Sequence, residues 1–196
     1  TVHDPSIIKS NTGMYYVLGS HTASARSENL IEWTQVNFDY GNPINTPFYG
    51  NLQETFEEPF RWAGYHDGDS IGGYAIWAPD IIWNPYYEWE DGSTGAYMLY
   101  ACTSSTWRRS CICYLVSKEF NGPYEYVDAV VYSGFNNSTH PASMTDYAKV
   151  TGSNTVDSRY LSNGNWKSTY GTNAIDPCVF YDKNGNLWMV YGSWFG

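Results

Sequence analysis

Asp4-Pro5-Ser6-Ile7-Ile8 and Asp176-Pro177-Cys178-Val179-Phe180 open two stretches with the same punctuation. Gly13 falls nine residues after Asp4, and Gly185 nine after Asp176. Each glycine is followed by an apolar run, Tyr15-Tyr16-Val17-Leu18 or Leu187-Trp188-Met189-Val190, and then by Gly-Ser, at Gly19-Ser20 and Gly192-Ser193. A middle copy starts at Pro79-Asp80-Ile81-Ile82-Trp83, turns around Asp91-Gly92 and Gly95, and resumes at Ala96-Tyr97-Met98-Leu99-Tyr100. A short apolar run, a Gly/Asn/Asp turn and a second apolar run predict a hairpin. The aspartates lie 76 and then 96 residues apart, enough for a four-stranded sheet plus decoration. Repeated sheets that cannot bury their faces alone predict a β-propeller, whose innermost strands line a central channel. Asp4, Asp80 and Asp176, each at the start of an inner strand, are therefore expected to meet at the channel mouth.

The segments between the copies read as outer strands and rim loops. Ala96 to Cys102 is an apolar run that fits one buried strand. Gly122-Pro123-Tyr124-Glu125-Tyr126-Val127, followed by Ala129-Val130-Val131-Tyr132, predicts an outer hairpin. Residues 37–70 form an acidic, aromatic insertion in which Leu52 to Trp62 can hold a short helix. Residues 136–171 are rich in Ser, Thr, Asn and Gly and predict a long functional or mobile loop. Three openings without closure would leave an edge that propellers abolish. The 196 residues are thus expected to be the N-terminal part of one catalytic propeller domain, with the remaining blades on a second polypeptide or fragment. The first residue is Thr1 and not Met, which fits a processed or trimmed product.

Lys plus Arg number 10 and Asp plus Glu 20, a formal charge of −10. That balance opposes the phosphate-neutralising surface of nucleic-acid binders and docking on anionic membranes. No stretch approaches the roughly 18 apolar residues of a membrane span. Nine Trp, 19 Tyr and eight Phe make the chain 18% aromatic. Such an excess serves uncharged ligands with apolar faces, sugars among them, or simply packs sheets well. The cysteines are Cys102, Cys111, Cys113 and Cys178, without the C-x-x-C spacing of zinc or redox sites. They read as four buried free thiols, with one Cys102–Cys113 disulfide as the alternative if the two sit on paired strands.

An acidic cluster walled by aromatics points to glycosidic bond hydrolysis. That chemistry needs one protonated carboxyl group at the leaving oxygen and one carboxylate as base or nucleophile. A further carboxylate holds the pKa values apart.

Val2-His3-Asp4-Pro5-Ser6-Ile7, Trp77-Ala78-Pro79-Asp80-Ile81 and Asn173-Ala174-Ile175-Asp176-Pro177 resemble successive blade motifs of family 43 glycoside hydrolases. Within that family they resemble the endo-α-1,5-L-arabinanases, supported by Gly72-Gly73-Tyr74-Ala75-Ile76-Trp77, Trp89-Glu90-Asp91-Gly92-Ser93 and Tyr191-Gly192-Ser193-Trp194. The resemblance implies a five-bladed propeller, of which this all-β chain supplies roughly the first three blades. It implies inverting hydrolysis of internal α-1,5-arabinofuranosidic bonds in plant cell-wall arabinan or arabino-oligosaccharides. An extracellular location, secreted or at the bacterial cell surface or periplasm, goes with that substrate.

By motif match Asp4 is the general base, and Asp176 tunes the acid's pKa and orients the sugar. The family's general acid is a Glu in a Glu-Ala/Gly-Pro motif on a later blade. No such motif occurs in these 196 residues, so the chain is expected to be inactive without the missing blades. The resemblance also implies a structural Ca2+ or other cation at the propeller axis, with its histidine on a later blade; no metal ligand is assigned in this chain. Trp77 is expected to stack on sugar, and Asn173, Ser193 and His3 to contact hydroxyls. Each has a plain alternative: Asp4 as a turn cap before Pro5, Trp77 as core, His3 as a structural hydrogen-bonding residue. Asp80 is offset by its preceding proline, and a structural role is at least as good a reading. His21, His66 and His140 lack metal-ligand spacing and read as surface or packing residues. Two other functions stay open: an exo-acting arabinofuranosidase or β-xylosidase, and a carbohydrate-binding propeller without catalysis.

Overall fold

The computed structural model describes residues 1–37, 44–104, 109–157, 161 and 173–192, and the three hairpins form where the repeat predicts them. The first sheet is an antiparallel meander of β1 (Ser6–Lys9), β2 (Tyr15–Leu18), β3 (Ser24–Ser27) and β4 (Thr34–Asn37). The second repeats that order with β5 (Trp77–Glu88), β6 (Thr94–Ser104), β7 (Ser110–Ser117) and β8 (Glu125–Ser133). The third begins with β9 (Cys178–Tyr181) and β10 (Leu187–Val190). The inner strands stand side by side, β1 against β5 and β5 against β9.

One turn design closes all three hairpins. The amide of Gly13 donates to Ser10 O at 2.9 Å, that of Gly92 to Trp89 O at 2.9 Å, and that of Gly185 to Asp182 O at 3.0 Å. These glycines have φ of 88, 79 and 82°, a left-handed conformation that a Cβ would strain. A different close approach explains Gly19, where a Cβ would collide with the His3 carbonyl.

Packing explains why the middle copy has the longest apolar run. Two short helices, α1 (Leu52–Thr55) and α2 (Glu57–Ala63), form within the predicted insertion. The Asn51 side chain caps α1, accepting the Gln53 amide at 3.0 Å. Leu52, Phe56, Phe60 and Trp62 then fill the space between Tyr16 and Leu18 of the first sheet and Leu99 and Leu115 of the second. On the other face, Met98, Tyr100 and Val116 pack against Val179 and Met189 of the third sheet. With both faces covered, every residue of β6 after Thr94 is buried, so it reads as an unbroken run, not an alternation.

Three details depart from the sequence reading. The expected outer hairpin at 122–132 is one continuous strand, β8, paired along β7 from Ser110 to Val116. Register shifts between Ile112 and Cys113 and between Tyr114 and Leu115 absorb its irregularity without a reversal. Cys102, Cys111 and Cys113 are buried and free, but Cys178 is exposed. The register sets Cys102 opposite Ile112 and Cys113 opposite Ala101, so the two thiols are not direct partners. Finally, the described part of the 136–171 stretch contains the short helix α3 (Tyr147–Thr151).

Candidate active site

The three copies superpose through their proline and not through their aspartate. Asp4, Ala78 and Asp176 each precede a proline, and they have φ of 50, 34 and 54°. A left-handed residue is unusual for anything but glycine, and a following proline narrows its choices further. Asp-Pro, Ala-Pro and Asp-Pro are thus one backbone feature repeated three times. The expectation of three equivalent aspartates is corrected in its middle member, where Ala78 holds the place of Asp4 and Asp176.

Asp80 occupies the position of Ser6 and Cys178 instead, and there it ties the sheets together. Its Oδ1 accepts the Ser6 hydroxyl at 2.5 Å and its Oδ2 the Val179 amide at 2.7 Å. One carboxylate on the second inner strand therefore holds both neighbouring inner strands.

Asp4 and Asp176 face a common cavity of about 390 Å³, lined also by His3, Ser20, His21, Asp69, Trp77 and Ile175. Both also line a smaller recess of about 250 Å³ bounded by the three proline triplets. Burial, and then the charge of Asp4, push the Asp176 carboxyl above its usual range, with His3 opposing.

Asp4 is held by its own sheet and the next. The Ser20 hydroxyl donates to Asp4 Oδ2 at 2.6 Å and accepts the Ala78 amide at 2.9 Å. His3 Nδ1 lies 2.7 Å from the same oxygen. Ser20 was legible in principle: pairing of Ser6 with Leu18 sets the residues two steps outward, Asp4 and Ser20, opposite each other. In the third copy Cys178 pairs with Val190, so the counterpart of Ser20 is Gly192. The two Gly-Ser pairs are out of register by one residue. Ser193 itself lies outside the described residues.

A second group of residues reaches the cavity from the insertion. Asp67 is 8% exposed and accepts two hydrogens, the Asp69 amide on Oδ1 at 2.9 Å and the Trp77 Nε1–H on Oδ2 at 3.0 Å, and its Oδ2 lies 3.0 Å from His21 Nδ1 as an ion pair. Burial alone would favour the neutral acid, but the His21, Asp69 and Trp77 donors outweigh it and hold the carboxyl below its usual range. The bond to Asp67 raises the pKa of His21 despite its burial, and the charges of Asp67, Asp69 and Asp4 add to the shift. His21 therefore stands in the cavity and is no mere packing residue. Its cue was only its position beside Ser20; Asp67 and Asp69 had none beyond the acidity of their insertion.

Asn173 stands behind these walls. Its Oδ1 accepts the Ser110 hydroxyl at 2.7 Å and the Ser133 hydroxyl at 3.1 Å, and its side chain is not among those lining the cavity. Among the described residues, only His21, Asp67 and Asp69 offer three ligand atoms within 4.8 Å of one another. Two nitrogen donors already occupy Asp67 Oδ2, so the set is a hydrogen-bonded cluster and not the oxygen cage of a hard cation.

No protein-family model matches the chain. Over all of its length it is 37% identical to an extracellular endo-α-(1→5)-L-arabinanase of Thermotoga petrophila, and covers 34% of that protein. A crystal structure of endo-1,5-α-L-arabinanase from Thermotoga petrophila RKU-1 matches all of the chain with a TM-score of 0.68 at 36% identity, the chain covering 36% of it. A family 43 glycoside hydrolase of Bacillus licheniformis matches 98% of the chain at 33% identity and a TM-score of 0.67, with 35% of that structure covered. The fold is thus that of part of a family 43 propeller. The chain spans about a third of the length of the curated relatives it matches.

Proposed function

We propose, from a chain similar over its whole length to family 43 arabinanases, that the protein containing it hydrolyses internal α-1,5-L-arabinofuranosidic bonds. The single observation that carries the reading is the meeting of Asp4 and Asp176, 172 residues apart, on one cavity walled by Trp77. Unrelated surface aspartates have no cause to share a cavity wall with an indole.

Asp4 acts as general base toward a water at the anomeric carbon. Ser20 and His3 fix its Oδ2, which leaves Oδ1 to accept the proton of that water. Asp176 stays close enough to feel the charge of Asp4, and it serves to tune the acid's pKa and orient the furanose. The reaction inverts configuration, which calls for roughly 6.5–9.5 Å between base and acid to admit water. The general acid, a Glu, lies outside these 196 residues, on the blades that complete a five-bladed propeller. Without them, on a second polypeptide or in a longer chain, hydrolysis does not proceed. An axial cation would draw its ligands from outside the described residues, and no step here depends on it. Trp77 offers an apolar face to the sugar ring, while His3 and Ser193 are assigned to its hydroxyls. The substrate, a cell-wall polysaccharide, places the protein outside the cell.

The test is hydrolysis of linear arabinan by the full-length protein, with products resolved by size. Asp4→Ala and Asp176→Ala are expected to lower the rate by roughly 10²–10⁴-fold, and the wild type to release oligosaccharides first. Wild-type rates in both variants would remove these residues from the mechanism. Monosaccharide as the first product would assign the exo-acting alternative.

A further inference from the structure

We propose that Asp67 is a positioning residue whose buried carboxylate locks the Trp77 indole and the His21 imidazole into one rigid wall that grips the sugar beside Asp4 and Asp176. The inference rests on the reading that the cavity takes an arabinofuranose, and it adds the group that shapes the grip. Asp67 does not line the cavity, so it acts through the two rings that do.

Its geometry is specific. The nitrogens of both rings converge on one oxygen, Oδ2, so neither ring turns without losing its contact. The side chains of His21 and Asp67 are only 17% and 4% exposed, so water is a poor substitute partner. Because Asp67 is held ionised, it has no proton to give, and the hydrogen of the pair resides on His21 Nδ1. That fixes the orientation of the imidazole as well as its position.

The backbone around each member is pinned independently. The His21 amide donates to Ile76 O at 2.7 Å, which joins the first sheet to the strand that begins at Trp77. The Asp67 amide donates to Gly73 O at 3.2 Å, and the Ser70 hydroxyl to Tyr74 O at 2.9 Å, closing the loop that carries the carboxylate. Gly73 has φ of 76°, and a Cβ there would lie 2.7 Å from the Tyr65 carbonyl. The loop is built to present Asp67 from behind the wall. Rings held in advance lose less freedom when the sugar arrives, which is affinity gained through order and not through added contacts.

The experiment uses the full-length protein that contains this chain, labelled with 15N. The Trp77 indole N–H and the His21 ring nitrogens report the wall; arabinotriose affinity and the kinetics on linear arabinan report the grip. Asp67→Ala is expected to displace both ring signals and raise KM and the arabinotriose Kd roughly tenfold or more, with a smaller change in kcat. Asp67→Asn, with its amide oxygen in the place of Oδ2, still offers both rings an acceptor but without the charge and with its NH2 against the Asp69 amide, so a smaller displacement of both ring signals than in Asp67→Ala is expected. Should Asp67→Ala fail to fold, Trp77→Phe keeps a ring while removing its donor, and a smaller rise in KM in the same direction is expected. Folded variants with displaced rings but unchanged arabinotriose affinity would overturn the positioning role and leave the sugar reading intact. A wild type that binds no arabino-oligosaccharide would overturn the sugar reading and this inference with it. Ring signals that respond to added Ca2+ or EDTA would overturn it in favour of a cation site.

Discussion

A left-handed non-glycine residue ahead of proline stores backbone strain of order 1–3 kcal/mol, and the described residues hold three, Asp4, Ala78 and Asp176. At Asp4 and Asp176 the strained conformation aims a carboxylate at the cavity; at Ala78 it carries no such group. Ala78→Gly is therefore expected to raise stability by about 1 kcal/mol, read from the urea midpoint of the full-length protein. Asp4→Asn removes the negative charge beside Asp176, so the Asp176 carboxyl is expected to titrate at lower pH than in the wild type, followed by 13C NMR. The His21–Asp67 pair has its own pH window. The pKa of Asp67 is lowered from 3.8, so its contribution is lost as pH falls through the folded value; that of His21 is raised from 6.5, so its contribution is lost as pH rises through the folded value. The loss of stability in Asp67→Asn is thus expected to be largest between those two limits and smaller on either side, measured as unfolding midpoints across pH.

Among the elements, the hairpins were legible because turn chemistry is local. Asp-x-x-Gly at 182–185 and Ser-x-x-Gly at 10–13 close the same three-residue step whatever surrounds them. The register was harder to see. A repeat aligned on Asp sets Asp80 beside Asp4, but backbone equivalence runs through Pro5, Pro79 and Pro177. Two residues of offset leave Asp80 on the recess it shares with Asp4 and Asp176 but make its carboxylate a clamp between inner strands. Asp80→Ala would leave the Val179 amide and the Ser6 hydroxyl without their acceptor. A loss of roughly 1–3 kcal/mol is expected, visible as a lower denaturant midpoint; an unchanged midpoint would show that the clamp contributes nothing. The outer strand β8 misled for a similar reason: Asp128 falls between two apolar runs like a turn residue, yet it pairs with Tyr114 of β7, and the register skips its neighbours Val127 and Val130 instead.

At the scale of the molecule the second sheet is covered on both faces and the third is not. Phe180, Trp188 and Val190 are 43, 56 and 55% exposed, on a hairpin with no further strand beside β10 among the described residues. Apolar side chains on an uncovered sheet favour association. The 196-residue chain expressed alone is expected to self-associate in sedimentation velocity runs, and Trp188→Lys with Val190→Lys to reduce that association. A monodisperse monomer of the unmodified chain would contradict the expectation.

The sequence by itself determined the repeat, the three hairpins, the helical insertion and the kinship of Asp4 with Asp176. All of these rest on short-range chemistry: glycine at a left-handed turn, proline beside aspartate, apolar runs of strand length. Only the tertiary structure decided that the Ser20 hydroxyl ties Asp4 to the Ala78 amide of the next sheet, and that Asp67 joins His21 to Trp77 from within an insertion. Those relations cross between sheets, where partners are chosen by packing distance and not by position along the chain, and no local pattern records them.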